Sequence, residues 1–444
     1  MKVANAEHVK SGKEIAREVF LQTLSAIDIG AAIERHLDRS GSTICCEGRR
    51  FDLKQFERIE AIAYGKASFA MAEAFTSILA PDFEPRGILA VPTHPLREIP
   101  GWKIFVTAHP VPDGNSIAAG RAILDALAKC DEKTLVVFLI SGGGSSLVEF
   151  PLYPELSLKD FQQLHAALVA CGAPIEEINV IRKHLSATKG GRLSAAAPNS
   201  VKLTLGISDV PDGEETALAS GPTLPDPTTV ADAERIASKY GVMQKMTPPL
   251  AAIFREQCLH ETPKEGDSIF ANSHFDLVLR PHDLRHSAHH ACEAAGFACV
   301  CDDSTDNWPI EKAANHLLEA LSMAQEINPG RRAAVIAVGE VSSTVTGDGL
   351  GGRNSAFVLS CIEKIAGTNI AVFSGGTDGV DGNSPAAGAV ADGQSLARAR
   401  ALGMDPAVFF RRCDAYTFFS RLGDAIITGP TGNNLRDLRI LLAN

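Results

Sequence analysis

The stretch LVVFLISGGGSSLVEF, residues 135–150, decides the fold because it joins a buried strand to a glycine-rich turn. Apolar residues fill 135–140 and lead directly into Ser-Gly-Gly-Gly-Ser-Ser at 141–146. A continuous apolar run of this length indicates a strand covered on both faces, as in a parallel sheet. Glycines after such a strand either let the backbone approach an anion or simply make a tight turn. Both explanations of the loop stay open at this point.

Similar apolar segments recur along the chain and alternate with helical patterns. In the first half they lie at 61–64, 87–91, 103–108 and 201–208. Helical periodicity separates most of them, and the pattern at 156–172 begins and ends with typical cap residues, Ser157 and Gly172. A second series lies at 331–338, 369–373 and 425–428. This alternation predicts largely parallel sheets in two α/β domains with a cleft between them.

A proline-rich stretch separates the two series. It runs through SGPTLPDPTTVADAE at 220–234 and GVMQKMTPPL at 241–250. Because 444 residues are too many for one ordinary core, two domains are expected. We predict an N-terminal domain at 5–245 and a C-terminal domain at 246–444.

The composition limits the class of protein. Hydrophobic residues make up 45% and charged residues 21%, which is typical of a folded soluble protein. No apolar run is long enough for a membrane span, and the first residues lack the apolar core of a signal peptide. A net charge of -11 argues against nucleic acid as a partner. The ten scattered cysteines fit neither a zinc framework nor disulfide staples, so a cytoplasmic location is predicted.

Known motifs fit the chain poorly. Gly65-Lys66 follows a strand, but Glu60 stands where a Walker A loop needs glycine. A dinucleotide fingerprint matches literally at 347–352, without a well-placed acid after the next strand. Ser145 lies in no nucleophile elbow, which argues against a serine hydrolase. The row His282, His286 and His290 has helical spacing, which suits a metal site but more often marks a solvated helix face.

Charged residues beside glycines and at strand ends are the remaining candidates. A second strand, at 369–373, also runs into Ser-Gly-Gly, at 374–376. Ligands of open α/β sheets bind beyond the carboxyl ends of strands, where basic groups clamp phosphate and acids hold Mg²⁺ or orient hydroxyls. Singly, each charged residue is more often a surface ion pair or a helix cap. The candidates are Lys66, Lys183, Lys189, Arg192, Asp209, Glu340, Arg353 and Asp378.

Several segments together resemble the glycerate 2-kinase family, whose C-terminal part is called the MOFRL domain and whose members are often labelled hydroxypyruvate reductase. The segments occur in the family's order and span nearly the whole chain. They are HPVPD (109–113), SGGGSSL (141–147), RKHLSATKGGRL (182–193), SDVPDGEETALASGPTLPDPTT (208–229), GGRN (351–354), SGGTDGVDGNSPAAGA (374–389) and TGPTGNN (428–434). The resemblance implies a Rossmann-like N-terminal domain and a MOFRL region at about 331–440.

The resemblance also implies the activity and a set of site residues. The activity is phosphorylation of D-glycerate at its 2-hydroxyl by ATP with Mg²⁺, giving 2-phosphoglycerate and ADP in the cleft between the domains. Substrate-binding and catalytic roles fall on Lys66, Glu340, Arg353, Asp378 and the pair Asn433 and Asn434. ATP phosphates are expected against Ser141, Gly142, Gly143, Gly144, Ser145 and Ser146, with Lys189 and Asp209; the metal candidates are Asp209 and Asp378.

Two other functions remain open. One is a nicotinamide-dependent hydroxypyruvate reductase, which the family label and the glycine fingerprint favour. The other is a metabolite-binding protein without catalysis, although the lysine, arginine and acids retained together argue against it. The expected partner is a small molecule, with no nucleic acid and no membrane, and a homodimer is left open.

Overall fold

A computed structural model describes residues 10–344 and 346–444 and divides the chain into two compact units. The parallel-sheet unit is Ile29–Arg280. The mixed-sheet unit joins the described residues up to Asp28 with Pro281–Asn444.

The helices and strands follow one another along the chain. Helix α1 is Gly12–Ala26, in the mixed-sheet unit. The strands of the parallel-sheet unit are β1 (Asp38–Ser40), β2 (Thr43–Cys46), β3 (Arg49–Asp52), β4 (Arg58–Tyr64), β5 (Arg86–Val91), β6 (Trp102–Val106), β7 (Thr134–Ser141), β8 (Val201–Ile207) and β9 (Ser273–Leu279). Its helices are α2 (Ile29–His36), α3 (Ser68–Leu79), α4 (Gly114–Leu127), α5 (Gly144–Leu147), α6 (Leu158–Ala170), α7 (Ile175–Leu185), α8 (Arg192–Ala195), α9 (Val230–Lys239) and α10 (Pro248–Arg255).

The mixed-sheet unit contains the later elements. Its strands are β10 (Phe297–Cys301), β11 (Arg332–Val338), β12 (Ile370–Gly376), β13 (Gly388–Asp392), β14 (Ala425–Ile426) and β15 (Asp437–Ala443). Its further helices are α11 (Pro281–Ala294), α12 (Ile310–Ile327), α13 (Arg353–Cys361), α14 (Ser395–Ala401), α15 (Pro406–Arg411) and α16 (Ala415–Leu422).

The parallel sheet has the strand order β6-β5-β4-β7-β8-β9, and every neighbouring pair is parallel. All eight residues of β7 are buried, because helices cover both faces of this sheet. The prediction of a covered parallel sheet around 135–140 is therefore confirmed. The predicted helix at 156–172 is present as α6, where the backbone N–H of Ser157 donates to the Asp160 carboxylate at 2.6 Å.

The predicted domain boundary at 245/246 does not coincide with the division into units. Val242, Met246, Leu250 and Ile253 are buried in a cluster with residues of α6, α7 and α9. The chain then adds β9 to the edge of the parallel sheet before the unit ends at Arg280. The proline-rich segment is therefore packed structure of this unit, not a linker.

Helix α1 also departs from the predicted division, because it packs on the mixed sheet. Its apolar side includes Val19 and Phe20, and the ring of Phe20 lies 4.7 Å from that of Phe373 on β12. Lys13 of this helix pairs with Asp424 at 3.1 Å. The first helix thus belongs with residues after 280, although the sequence placed it in the N-terminal domain.

The mixed sheet has the order β10-β11-β15-β12-β13-β14. Only β10 and β11 pair in parallel; the other four pairs are antiparallel. The α/β class is confirmed, but this sheet is not largely parallel, because β15 inserts between β11 and β12 in the opposite direction. The sequence did not predict β15, whose central Arg439 interrupts the apolar pattern.

Two structural findings concern membrane spans and cysteine pairing, which the composition had raised. Across the described ranges, no helix has both the length and the apolarity that a bilayer span requires. All ten cysteines carry free thiols.

Candidate active site

The loop at 141–146 leaves the carboxyl end of β7 next to the turn that follows β4. Gly143 has φ +80° and is the N-cap of the short helix α5, so the left-handed conformation favours glycine here. The neighbouring turn is tied to this loop by two hydrogen bonds. The N–H of Lys66 donates to the Gly142 carbonyl at 3.0 Å, and that of Ala67 donates to the Ser141 hydroxyl at 2.9 Å.

Side chains with polar or charged ends line the open side of Gly143. A Cβ atom at this position would lie 3.2 Å from His109 Cδ2 and 3.3 Å from Lys66 Cγ. No backbone–backbone hydrogen bond outside the helices and strands of the described chain takes its hydrogen from Gly142 or Gly143. The loop therefore combines backbone N–H groups with a lysine and a histidine, which is the composition of an anion site.

The structure brings Asp209 to the same edge of the sheet. Strands β7 and β8 are adjacent and parallel, and Ser141 pairs with Ile207. Asp209 follows Ile207 by two residues and is half-buried. Lys66, the 141–146 loop and Asp209 therefore lie at the ends of neighbouring strands of this sheet.

The two serines after the glycines are held by the protein interior. Ser145 Oγ lies 2.7 Å from Ser220 Oγ, and its carbonyl accepts from the Arg182 guanidinium at 2.9 Å. Ser146 Oγ donates to the Gly143 carbonyl at 3.2 Å. These contacts join Ser145 to Ser220 and Arg182 and close the turn between Gly143 and Ser146.

Lys189 does not join this group. It is 1% exposed, and its ammonium contacts the buried Glu149 carboxylate at 2.8 Å and the Val148 carbonyl at 3.2 Å. Burial lowers the pKa of Lys189 to about 8, and Glu149 opposes that decrease. The predicted contact with ATP phosphates is replaced by an internal ion pair, because the glycines after Lys189 let the chain pack inside the unit.

In the mixed-sheet unit, Arg353 is held between two carboxylates. Its Nη1 lies 2.7 Å from Glu340 Oε2, and its Nε lies 2.5 Å from Asp437 Oδ2. Arg353 begins α13, and Glu340 follows β11 by two residues. Burial acts to lower the pKa of the guanidinium, but Asp437 and Glu340 outweigh it and raise the pKa. Arg353 is thus permanently charged and fixed in orientation, with about a third of its side chain exposed.

Asp378 and Asp437 both lie beside Gly376, the last residue of β12. A Cβ on this glycine would lie 3.1 Å from Asp378 Oδ1 and 3.3 Å from Asp437 Oδ1. One Asp378 oxygen also accepts from the Val380 N–H at 3.0 Å. The predicted residues Glu340, Arg353 and Asp378 are therefore brought together, with Asp437 as the link that sequence reasoning missed.

Three further charged residues of this edge were missed. Arg436 makes a two-point pair with Asp306, at 2.8 and 2.9 Å, and Asp306 also accepts from the Glu340 N–H at 2.8 Å. Asp381 is buried and accepts from the N–H groups of Asn354 and Ser355 at the start of α13. Asp381 lies in the SGGTDGVDGN segment, and Arg436 and Asp437 follow TGPTGNN after a single leucine, so closeness in sequence to these motifs could have indicated them.

Asn433 and Asn434 are both buried in the loop before β15. The Asn433 side-chain amide donates to the Ile27 carbonyl at 3.0 Å, and its side-chain oxygen accepts from the Asn434 N–H at 2.7 Å. The same loop is joined to the Asp378 segment, since the Thr431 N–H donates to the Asp378 carbonyl at 3.1 Å. Asn433 thus positions this loop, while a substrate contact for either asparagine stays a prediction.

The glycines of the 347–352 fingerprint have a packing explanation. A Cβ on Gly347 would lie 2.3 Å from the Arg412 carbonyl oxygen, and one on Gly349 would lie 2.5 Å from Asp414 Cβ. The preceding strand, β11, ends at Val338, well before the motif. A dinucleotide turn joins a strand directly to a helix, so this segment does not have that geometry.

The histidine row is the solvated face of α11. His282, His286 and His290 are all exposed, and the rings of His286 and His290 approach each other with their Nε2 atoms 3.1 Å apart. A cavity of about 460 Å³ in the parallel-sheet unit is lined by Glu215, Asp276 and Arg280 among other residues, but by none of the predicted site residues. Neither feature belongs to the two strand-end groups.

Comparison with known proteins identifies the relatives of this chain. The domain of unknown function DUF4147 matches residues 15–255, and the MOFRL family matches residues 333–437. A protein of Agrobacterium vitis named "Putative hydroxypyruvate reductase" is 36% identical over 439 residues, covering 97% of this chain and 94% of its own. The D-glycerate 2-kinase of Thermotoga maritima is 31% identical over 434 residues, covering 97% and 98%.

A solved structure agrees with these matches. The crystal structure of glycerate kinase from Thermotoga maritima superposes with a TM-score of 0.82 at 31% identity, covering 97% of this chain and 99% of that one. The chain therefore belongs to the DUF4147 and MOFRL family of two-domain α/β proteins, whose members carry the names glycerate 2-kinase and hydroxypyruvate reductase.

Proposed function

We propose that this protein phosphorylates D-glycerate at the 2-hydroxyl with ATP, giving 2-phosphoglycerate and ADP, in a cleft between the two domains. Relatives with that name and a closely similar fold support the reaction. The observation that carries the proposal is the fixed Arg353 fork beside Asp378 and Glu340. Such a group suits a hydroxy acid, since arginine binds a carboxylate in two parallel hydrogen bonds while the acids accept from hydroxyls.

The loop after β7 fits the phosphates of ATP. The left-handed Gly143 leaves a cradle that a Cβ would fill, and Lys66 and His109 line it. N–H groups of Gly142 and Gly143 are available there for phosphate oxygens, with Lys66 as the adjacent cation. Lys189 is left out of this assignment, because its ammonium is buried against Glu149.

The carboxylates fit a magnesium ion in their chemistry. Asp209 lies at the same sheet edge as the glycine loop, and Asp378 lies beside Asp437. Carboxylate oxygens are the ligands that Mg²⁺ prefers, and bound Mg²⁺ would neutralise charge on the transferring phosphate. Asp209 in the parallel-sheet unit or Asp378 in the mixed-sheet unit would hold it.

The roles of the chain's own residues follow from phosphoryl transfer, in which positioning and charge neutralisation matter more than a strong base. Arg353 and Lys66 bind the substrate carboxylate and the phosphate. Glu340 and Asp378 orient the hydroxyls, and Asp437 keeps the guanidinium in place through the 2.5 Å contact.

Assays with purified protein test the proposal. D-glycerate, ATP and Mg²⁺ should yield ADP and 2-phosphoglycerate, and EDTA should stop the reaction. Hydroxypyruvate with NADH or NADPH should give no absorbance change above background. Oxidation of the nicotinamide with ATP left untouched would replace the kinase proposal by the reductase one.

A further inference from the structure

A segment of the parallel-sheet unit that follows β8 meets the 141–146 loop at Ser145. This segment, 218–222, lies within the family motif at 208–229. Its Ser220 is fully buried, and Ser220 Oγ lies 2.7 Å from Ser145 Oγ. The two serines are 75 residues apart in sequence, so only the folded chain brings them together. Ser220 is not among the residues that the proposed reaction uses.

The backbone of this segment is left-handed over three consecutive residues. Ala219, Ser220 and Gly221 have φ angles of +48°, +63° and +59°. Only the glycine adopts this region at little cost, because a Cβ atom disfavours positive φ. Two adjacent non-glycine residues in this conformation persist only where surrounding contacts impose it, and such strain is concentrated at functional sites.

A pair of glycines from another family motif supplies those contacts. The N–H of Gly190 donates to the Ser220 carbonyl at 3.0 Å, and that of Gly191 donates to the Gly221 carbonyl at 2.7 Å. Both donating glycines also have positive φ, +55° and +79°. The motif at 182–193 therefore holds Ser220 in its left-handed conformation.

The hydrogen bonds around Ser220 run in one direction. Its hydroxyl has one hydrogen, which is donated to Asn179 Oδ1 at 3.3 Å. The hydrogen between the two serines therefore comes from Ser145, and Ser220 accepts it. The Arg182 guanidinium, which is 8% exposed, donates to the Ser145 carbonyl at 2.9 Å. Residues outside the loop thus bind Ser145 at its side chain and its backbone, and its hydroxyl has no hydrogen left for a phosphate oxygen.

We propose that Ser220 is a positioning residue of the ATP site, acting through Ser145 on the 141–146 loop. Ser145 follows the left-handed Gly143 by two residues, and the Ser146 hydroxyl donates back to the Gly143 carbonyl. A loop held at Ser145 keeps the Gly143 N–H directed at the phosphates before ATP arrives, which reduces the entropy lost on binding. This role rests on the proposed function, since it belongs to the same site.

Calorimetric titration of ATP with Mg²⁺ into the purified chain tests this role. Ser220→Gly places a residue suited to positive φ there but removes the hydroxyl, so the variant should fold normally and bind ATP about fivefold more weakly. In assays, KM for ATP should rise similarly, while kcat at saturating ATP and KM for glycerate stay close to the parent values. A residue that only stabilised the fold would lower the melting temperature and leave ATP affinity unchanged.

A double variant shows whether Ser220 acts through Ser145. Ser145→Ala should weaken ATP binding to a similar extent, and Ser220→Gly should add little to the loss in the Ser145→Ala background. Gln257→Gly is the matched control, because Gln257 also has positive φ (+52°) but is exposed after the end of α10. The ATP affinity of Gln257→Gly should equal that of the parent.

The outcomes separate this role from the proposed reaction. If the parent binds ATP but folded Ser220→Gly binds it equally well, or if the losses caused by the two serine variants add, Ser220 has no positioning role. Because the titration needs no turnover, it decides the role of Ser220 even if glycerate is not phosphorylated. A parent that does not bind ATP would overturn both the kinase proposal and this one.

Discussion

The two strands that end in Ser-Gly-Gly are surrounded by different charged and polar groups. After β7, the chain turns at the left-handed Gly143 and presents backbone N–H groups beside one lysine. At the end of β12, Gly376 stays in the strand, and Asp378 and Asp437 flank it next to Arg353. The first arrangement suits an anion, while the second holds a fixed guanidinium among acids. The same sequence pattern therefore predicts a strand end but not the chemistry that surrounds it.

Removal of Asp437 should have the largest effect on the mixed-sheet group. Asp437→Ala leaves the partly buried Arg353 and the fully buried Arg439 without this carboxylate, so we expect a loss of about 3 to 4 kcal/mol in the free energy of unfolding. Glu340→Gln, at the more exposed partner, should lose about 1 kcal/mol or less. Urea denaturation measures both, and equal losses would contradict the central position given to Asp437.

The buried lysine of β8 gives the parallel-sheet unit a pH dependence. Lys202 is 1% exposed and donates to the Ala197 and Ser200 carbonyls, and burial lowers its pKa from 10.5 to about 8. Below pH 8 both the folded and the unfolded chain carry this charge, and the cost of burying it is present. Between about 8 and 10.5 only the unfolded chain keeps the proton, so this residue's contribution to stability rises with pH.

Comparison with Lys202→Met isolates that contribution. The variant's stability relative to the parent should be greatest below pH 8 and should fall by about 2 to 3 kcal/mol toward pH 10.5. Lys103→Met, at an exposed site on β6, is the matched control for loss of a lysine charge. Denaturation at several pH values measures the difference in stability between Lys202→Met and the parent. If that difference does not change with pH, the ammonium lies in a charged or hydrated environment.

Arg353→Lys tests whether the planar guanidinium beside the end of β12 is needed for activity. Lysine keeps the charge but cannot make two parallel bonds, so kcat/KM for glycerate should fall at least tenfold, about 1.4 kcal/mol. Circular dichroism should show an unchanged fold. Near-normal kinetics in a folded variant would remove Arg353 from the site.

Two glycine variants compare the β7 loop with the end of β12, and their expected effects on binding are smaller. Gly143→Val should reduce ATP affinity about fivefold, about 1 kcal/mol, because the side chain enters the space beside His109 and Lys66. Gly376→Ala should instead raise KM for glycerate, because its methyl group would press on Asp378 and Asp437. Gly114→Ala, where nothing lies within 4 Å, is the control. If calorimetry shows unchanged ATP affinity for folded Gly143→Val, the β7 loop is only a turn.

Local sequence predicted the strands whose residues are apolar throughout, such as β7, and the acids and bases that directly follow them. It did not predict β15, where a buried arginine replaces an apolar residue and donates to the Gly339 carbonyl, which is distant in sequence. Because β15 was not predicted, Asp437 was missed as well. Its position depends on the pairing of β15 with β12, in which Asp437 lies opposite Gly376. Lys189 was misplaced for a related reason, since only the tertiary structure puts Glu149 beside it.

The order of elements along the chain has a consequence for synthesis. Helix α1 precedes the other described elements in the chain but packs on β12, and residues 29–280 of the parallel-sheet unit separate it in sequence from the rest of its own unit. Strand β15 is made after every other strand of the mixed sheet, yet it joins β11 to β12. On the ribosome, the continuous 29–280 segment can complete its core while α1 and the two halves of the other sheet still lack their partners. During that interval the unpaired edges of β11 and β12 can pair with other chains, so these are the surfaces that a chaperone would protect.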